Sequence, residues 1–328
     1  MKKFVFIFVT LINSMLVFAD TYPTHVLYNG DMKITYLLPD NNKGYYRSSK
    51  FDWGSMLAQI EYKDCLFLQD WRGYSGRPPV GNHDPLIPNT GTGLAEEFND
   101  PQGYDDKTNN GYFVKIGVGL LKKDGDSEYD PAKYYDIIDA GERTLHFDNN
   151  SIQVIHSLKT DIGYHYILTR EYKLEGNKLI VNHRLENKGK KVIKTRMFSH
   201  NFFQFNYRKT DSDMVLRFLN SKISIPENIE WVNKERMIFG HNELYVNHPL
   251  DDFKRCCGNL DLEPPIGNFT LFNSRTNMSV TVASSEPVVS IGLWFWQNAY
   301  CPEHWIMVEV LPEKDFSWSF EYSFIPIK

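Results

Sequence analysis

Two adjacent carboxylates behind a glycine-rich turn are the first residues whose types and spacing suggest chemistry. The segment reads Gly91-Thr92-Gly93-Leu94-Ala95-Glu96-Glu97-Phe98. A loop that cradles phosphate needs free backbone amides and a nearby cation; this one leads to two acids instead. Glu96 and Glu97 suit bidentate hydrogen bonding to sugar hydroxyls, with a solvated acidic turn as the alternative. Upstream lie Tyr45-Tyr46-Arg47 and Phe51-Asp52-Trp53-Gly54. Arg47 could receive an acidic sugar and Trp53 could stack on a sugar face, or both could simply close a first sheet. Trp71, Trp294 and Trp296 are stacking candidates or core residues on the same terms. No GxSxG segment supports a serine hydrolase, and no CxxC pair supports a zinc site.

The elements that must position these groups are strands. Tyr164, Tyr166, Leu168, Arg170, Tyr172 and Leu174 fall on one face of an extended segment, with His165, Thr169, Glu171 and Lys173 on the other. Leu179, Val181 and Leu185 follow after Glu175-Gly176-Asn177, so period two on both sides of a Gly-Asn turn predicts a hairpin. At the end of the chain Phe316, Trp318, Phe320, Tyr322 and Phe324 alternate with Ser317, Ser319, Glu321 and Ser323. Such a strand buries one aromatic face and wets the other. Many short strands with Asn, Gly, Asp and Pro between them predict an all-β fold, a large antiparallel β-sandwich. The only helical candidate is a short connector over residues 228–239. Residues 73–110, rich in Gly, Pro, Asn and Asp, read as a long loop region of the functional kind.

The 328 residues are 42% hydrophobic, 15% aromatic and 23% charged, with a formal net charge of -5. This is a globular balance, and the negative charge argues against a nucleic-acid partner. Lys2 and Lys3, the apolar run Phe4–Phe18 and the small-residue site ending at Ala19 read as a secretory signal peptide over residues 1–19. The run is shorter than the ~20 residues of a spanning helix. A periplasmic or secreted protein is therefore expected, with no membrane insertion after cleavage and a single domain over residues 20–328. Cys65, Cys256, Cys257 and Cys301 are too few for a disulfide scaffold, though one bridge could form in an oxidising compartment.

Tyr164–Phe205 reads YHYILTREYKLEGNKLIVNHRLENKGKKVIKTRMFSHNFFQF. This run resembles the central block of the aldose 1-epimerase (galactose mutarotase-like) superfamily. Asn187-Lys188-Gly189 matches the family's Asn-x-Gly turn. Ser199-His200-Asn201-Phe202-Phe203 matches its Asn-His-x-x-Phe-type motif, with Ser199 in place of the first Asn. Leu271–Val282, Trp294-Phe295-Trp296, Tyr300-Cys301-Pro302-Glu303 and Leu311-Pro312-Glu313 resemble the segments that follow, in order, so the likeness covers roughly residues 160–328. The family's second histidine, in a Gly-flanked N-terminal motif, has no clear counterpart; Lys115 within Gly111–Gly119 and His83 within Asn82-His83-Asp84-Pro85 are candidates for its place.

The resemblance implies mutarotation, which opens and recloses a sugar ring by acid–base chemistry and needs no cofactor or metal. Glu303 would take the proton of the anomeric hydroxyl. His200 would protonate the ring oxygen from the opposite side, its proton supported by a carboxylate. Glu96, Glu97, Lys115, Arg47, His83 and Trp294 would bind the sugar or oligosaccharide. Two other classes stay open. One is a non-catalytic carbohydrate-binding protein on the same fold. The other is a polysaccharide lyase or glycosidase-related domain, with Tyr112, Lys115 and Arg47, or Glu96 or Glu97 paired with Glu303, as its residues.

Overall fold

The computed structural model describes residues 22–68, 71, 83–227, 230–250 and 254–327. The expected leader, residues 1–19, lies outside them. The hairpin forms as strands His165–Glu175 and Lys178–Asn187, registered from Tyr166↔Asn187 to Glu175↔Lys178 around Gly176-Asn177. Gly176 has φ +59, the left-handed conformation such a two-residue turn demands. Tyr166, Leu168, Arg170, Tyr172 and Leu174 are buried, while their alternating neighbours are half-buried. The last strand, Asp315–Pro326, buries Trp318, Phe320, Tyr322 and Phe324. It pairs with Lys178–Asn187 on one side and Met278–Ser284 on the other.

These strands belong to a ten-stranded antiparallel sheet, packed against a six-stranded one. The six run in the spatial order Lys222–Ser224, Cys256–Glu263, Ser290–Trp296, Ala299–Val310, Ile193–Asn201 and Leu94–Phe98. Leu168, Tyr172, Val181 and Phe320 of the larger sheet share one core with Met197, Ile291, Ile306 and Val308 of the smaller. Each such side chain contributes about 1.5–3 kcal/mol on full burial. This is the expected all-β sandwich. The opposite face of the six-stranded sheet is also covered. Tyr46, Phe51, Phe113 and Phe202 pack there with Ala95, Ala299 and Cys301 in a second apolar cluster supplied largely by the N-terminal segments.

The 73–110 segment is not all loop: Leu94–Phe98 is the edge strand of the six-stranded sheet, paired with Ile193–Asn201. All five of its residues are buried. A strand covered on both faces loses the alternation by which strands are recognised. The 228–239 connector contains the single 3-10 turn Lys234–Arg236 and then a strand, Met237–Phe239. All four cysteines are free. Among the described residues no helix is long and apolar enough to cross a membrane.

Candidate functional site

Strand register brings the candidate residues together. Phe198 pairs with Trp305 on one side and Glu97 on the other. Two residues along, His200 pairs with Ala95 and, by continuation of the same register, stands opposite Glu303. Glu303 pairs in turn with Gly292, and Trp294 with Cys257. Residues two apart share a face, so Glu97, Phe198, His200, Trp294, Glu303 and Trp305 all project from the face turned away from the sandwich core. They line a cavity of about 360 Å³ that Lys50, Asn99, Pro131 and Glu230 help to enclose. That lies near the low end of the ~300–1,000 Å³ typical of small-molecule sites.

His200 and Glu303 touch. Nε2 of the imidazole lies 3.3 Å from Oε1 of the carboxyl, and the two side chains keep 12% and 9% of their surface exposed, enough for a ligand to reach them. The ring stacks on Phe202 at 4.2 Å and meets Trp294 and Phe51 edge-on. Its Nδ1 is buried with no hydrogen-bond partner among the described residues. Aromatic packing, rather than a second hydrogen bond, therefore orients this histidine. Burial, with a smaller push from the Lys50 charge, holds the imidazole well below its usual pKa. Burial also pushes the Glu303 carboxyl up to about 8, against the pull of Lys50 and the Trp305 N–H. Near neutral pH the two groups thus hold one proton on the contact between them. Both groups come from one face of the sheet, because their positions are cross-strand neighbours.

The surroundings set the carboxyl's place. Trp305 Nε1 donates to Glu303 Oε2 at 3.3 Å and stacks on Phe198 at 4.2 Å. Gly292, directly across the strand, leaves the room. A Cβ there would collide with Glu303 Oε2 and Trp305 Nε1. Lys50 donates to Asn89 Oδ1 at 2.9 Å and lies 4.0 Å from Glu97 Oε2. Among the described residues no group of three or more His, Cys, Asp or Glu is spaced to hold a metal ion.

Of the expected binding residues, Glu97 and Trp294 line the cavity and four do not. Glu96 points the other way, since neighbours on a strand face opposite sides. Its carboxylate lies between the sheets, 2.9 Å from His183 Nε2 and ion-paired with Arg170, which also holds Asp52 at 2.7 Å. Burial opposes its ionisation, but the charges of Arg170 and His183 prevail and its pKa falls below the ordinary value. Lys115 is fully buried behind Glu97 and donates to its Oε1 at 2.9 Å and to Asn99 O at 3.2 Å. It anchors a wall residue and does not face the cavity. His83 stacks on Tyr45 at 3.8 Å and bonds the Tyr45 carbonyl. The Arg47 backbone N–H donates to Pro85 O at 2.9 Å. Both residues pin the N-terminal segment, outside the cavity wall. The lyase set of Tyr112, Lys115 and Arg47 is likewise absent from the lining. Lys50, Asn99 and Trp305 were missed. Trp305 alone carried a usable signal, two residues beyond Glu303 on the same strand face.

No protein-family model matches this chain, and no curated protein matches it. Solved structures do. A galactose mutarotase related enzyme from Lactobacillus acidophilus superposes with TM-score 0.56 at 12% identity, over 93% of this chain and 100% of that one. A galactose mutarotase-like protein from Clostridium acetobutylicum gives 0.55 at 12%, over 92% and 95%. An aldose epimerase homologue from C. elegans gives 0.54 at 10%, over 93% and 99%. The chain shares the fold of these structures, and the likeness extends over the N-terminal half, where the sequence resemblance is loosest.

Proposed function

We propose that this mutarotase-like fold carries a sugar 1-epimerase, interconverting the anomers of a free sugar with His200 and Glu303 as the acid–base pair. The observation that carries the reading is their 3.3 Å contact at a partly open cavity of sugar-ring size. The anomeric hydroxyl and the ring oxygen are bonded to the same carbon, so an acid and a base in contact on one side can reach both. One member takes the hydroxyl proton as the O–H electron pair becomes the C=O bond. The C–O bond to the ring oxygen breaks and that oxygen receives the proton held by the other member. The aldehyde rotates and the same steps in reverse close the ring on its other face. A pair with one mobile proton can start from either tautomer, which suits a reaction that must run in both directions. Glu97, held by Lys115, offers acceptors to ring hydroxyls, and Trp294 offers an apolar surface. An exported protein would meet free sugars rather than sugar phosphates, and among the described residues the cavity wall has no cluster of cations for a phosphate.

The test is polarimetry or NMR of freshly dissolved α-anomers of glucose, galactose, xylose, rhamnose and a uronic acid, with the chain from Asp20 onward. Faster approach to anomeric equilibrium for one of them, lost in Glu303→Gln, is the expected result. Sugar binding without acceleration across the set would replace the reading with a carbohydrate-binding protein.

A further inference from the structure

A second hollow adjoins the first. It has a volume of about 610 Å³ and is walled by Asp100, Tyr104, Asp105, Glu128, Tyr129 and Arg196. Asn99 and Pro131 line both cavities, so the two share a wall. That wall is built rather than incidental. Arg196 is held by Asp100 through two hydrogen bonds, Nε to Oδ2 at 3.0 Å and Nη2 to Oδ1 at 2.6 Å. Its guanidinium lies 5.6 Å over the Trp305 ring, and Trp305 donates to Glu303. A continuous chain of contacts therefore runs from Asp100 in the second hollow to the acid–base pair in the first. The Tyr104 and Tyr129 rings meet edge-on at 5.4 Å, and Lys115, which anchors Glu97, lies 5.1 Å over Tyr129.

We infer that the second hollow is a subsite for a further sugar ring, so that the ligand is a neutral oligosaccharide whose reducing end occupies the His200–Glu303 cavity. The inference rests on the sugar-site reading above and specifies its substrate class. The first cavity has room for about one ring, and the second is the larger of the two. Aromatic walls beside carboxylates and a guanidinium give apolar faces and hydrogen-bonding groups in the mixture that sugar rings present. Neutrality follows from charge. Asp100 neutralises Arg196 and Lys123 lies 4.0 Å from Asp105, which leaves Glu128 as an exposed acid that would repel a uronate.

Binding is measured separately from catalysis. Titration calorimetry would compare glucose and galactose with maltose, cellobiose, lactose, maltotriose and cellotriose, and with digalacturonate, on the wild type and on Glu128→Trp, which fills the second hollow from an exposed position. The expected result is at least tenfold tighter binding of one neutral disaccharide than of its reducing-end monosaccharide. That gain should disappear in Glu128→Trp while monosaccharide affinity stays unchanged. Equal affinity for mono- and oligosaccharides, or a gain that survives Glu128→Trp, overturns the subsite. Preference for digalacturonate overturns the neutral class. Polarimetry on the same sugars reports on the epimerase alone: chamber-dependent binding with no acceleration defeats the catalytic proposal and leaves the subsite standing.

Discussion

Among the described residues two His–Glu contacts of nearly equal length have opposite characters. Glu96 meets His183 at 2.9 Å between the sheets, and Glu303 meets His200 at 3.3 Å on the far face of the smaller sheet. The inner pair has Arg170 beside it, which favours ionised Glu96 and also holds Asp52, closing the network. Burial dominates at the outer pair, where Lys50 pulls the carboxyl down and Glu97 pushes it up, so the carboxyl is driven up and the imidazole down. What separates the two pairs is thus not the residues or their spacing but the third charge and the open side. A buried carboxylate next to a guanidinium is finished; one without it keeps a proton that it can give away.

The sharpest break between the two regions is to remove one carboxylate from each. Glu303→Gln should cut mutarotase acceleration by about 10²–10⁴-fold, the usual worth of a positioned acid or base, with the thermal transition unmoved or raised. Glu96→Gln should do the reverse. Removing one charge of a buried network costs about 3–5 kcal/mol, seen as a lower midpoint in urea, while the folded fraction keeps its turnover. Equal loss of turnover in the folded fractions of both variants would erase the distinction. Gly292→Ala asks for less. By pushing Glu303 and Trp305 off their positions it should lower the rate about 10²-fold, the cost of a misplacement near 1 Å, and a rate within twofold of wild type would show that the carboxyl's position is not critical.

How much of this was readable in advance follows the hydrophobic pattern. Strands with one dry face, such as His165–Glu175 and Asp315–Pro326, announce themselves by alternation. Leu94–Phe98 does not, because both faces are covered, and so nothing told Glu96 from Glu97. A signal for the inner pair was nonetheless present. Arg170 sits on the apolar face of its strand, and His183 falls on the apolar face of the next, directly across from it. Two basic side chains facing each other in a core require a buried acid. His200 and Glu303 came from resemblance alone, since nothing in their local pattern distinguishes them from other strand residues. Lys50 and Asn99 reach the cavity from irregular segments, where side-chain direction has no period to read.

Acidity gives a comparison without mutation. The folded pKa of Glu303 lies above the unfolded one, so this group's contribution to stability is whole below pH about 4.5 and is lost as pH rises to about 8. The folded pKa of Glu96 lies below its ordinary value, so its contribution is whole above that value and is lost on acidification. Urea midpoints measured across pH should therefore fall toward the alkaline side through the outer pair and toward the acid side through the inner one. Glu303→Gln should flatten only the alkaline slope; a slope unchanged in that variant would contradict the raised carboxyl.

The smallest expected effect separates the two members of the outer pair from each other. Lys50 depresses both of them, disfavouring the imidazolium and favouring the carboxylate. Catalysis needs one proton on the pair, so the rate should fall on the acid side as His200 gains a second proton and on the alkaline side, near pH 8, as Glu303 loses the only one. Lys50→Met should move both limbs upward. Trp305→Phe removes a hydrogen bond that favours the Glu303 carboxylate, and the Trp305 N–H is not among the groups that shift His200, so it should move the alkaline limb alone. Parallel limbs in the first variant and an unmoved acid limb in the second would assign the acid limb to the imidazole and the alkaline limb to the carboxyl. If Trp305→Phe moved the acid limb as well, the two groups would titrate as one unit, and the pair would behave like a single shared proton site.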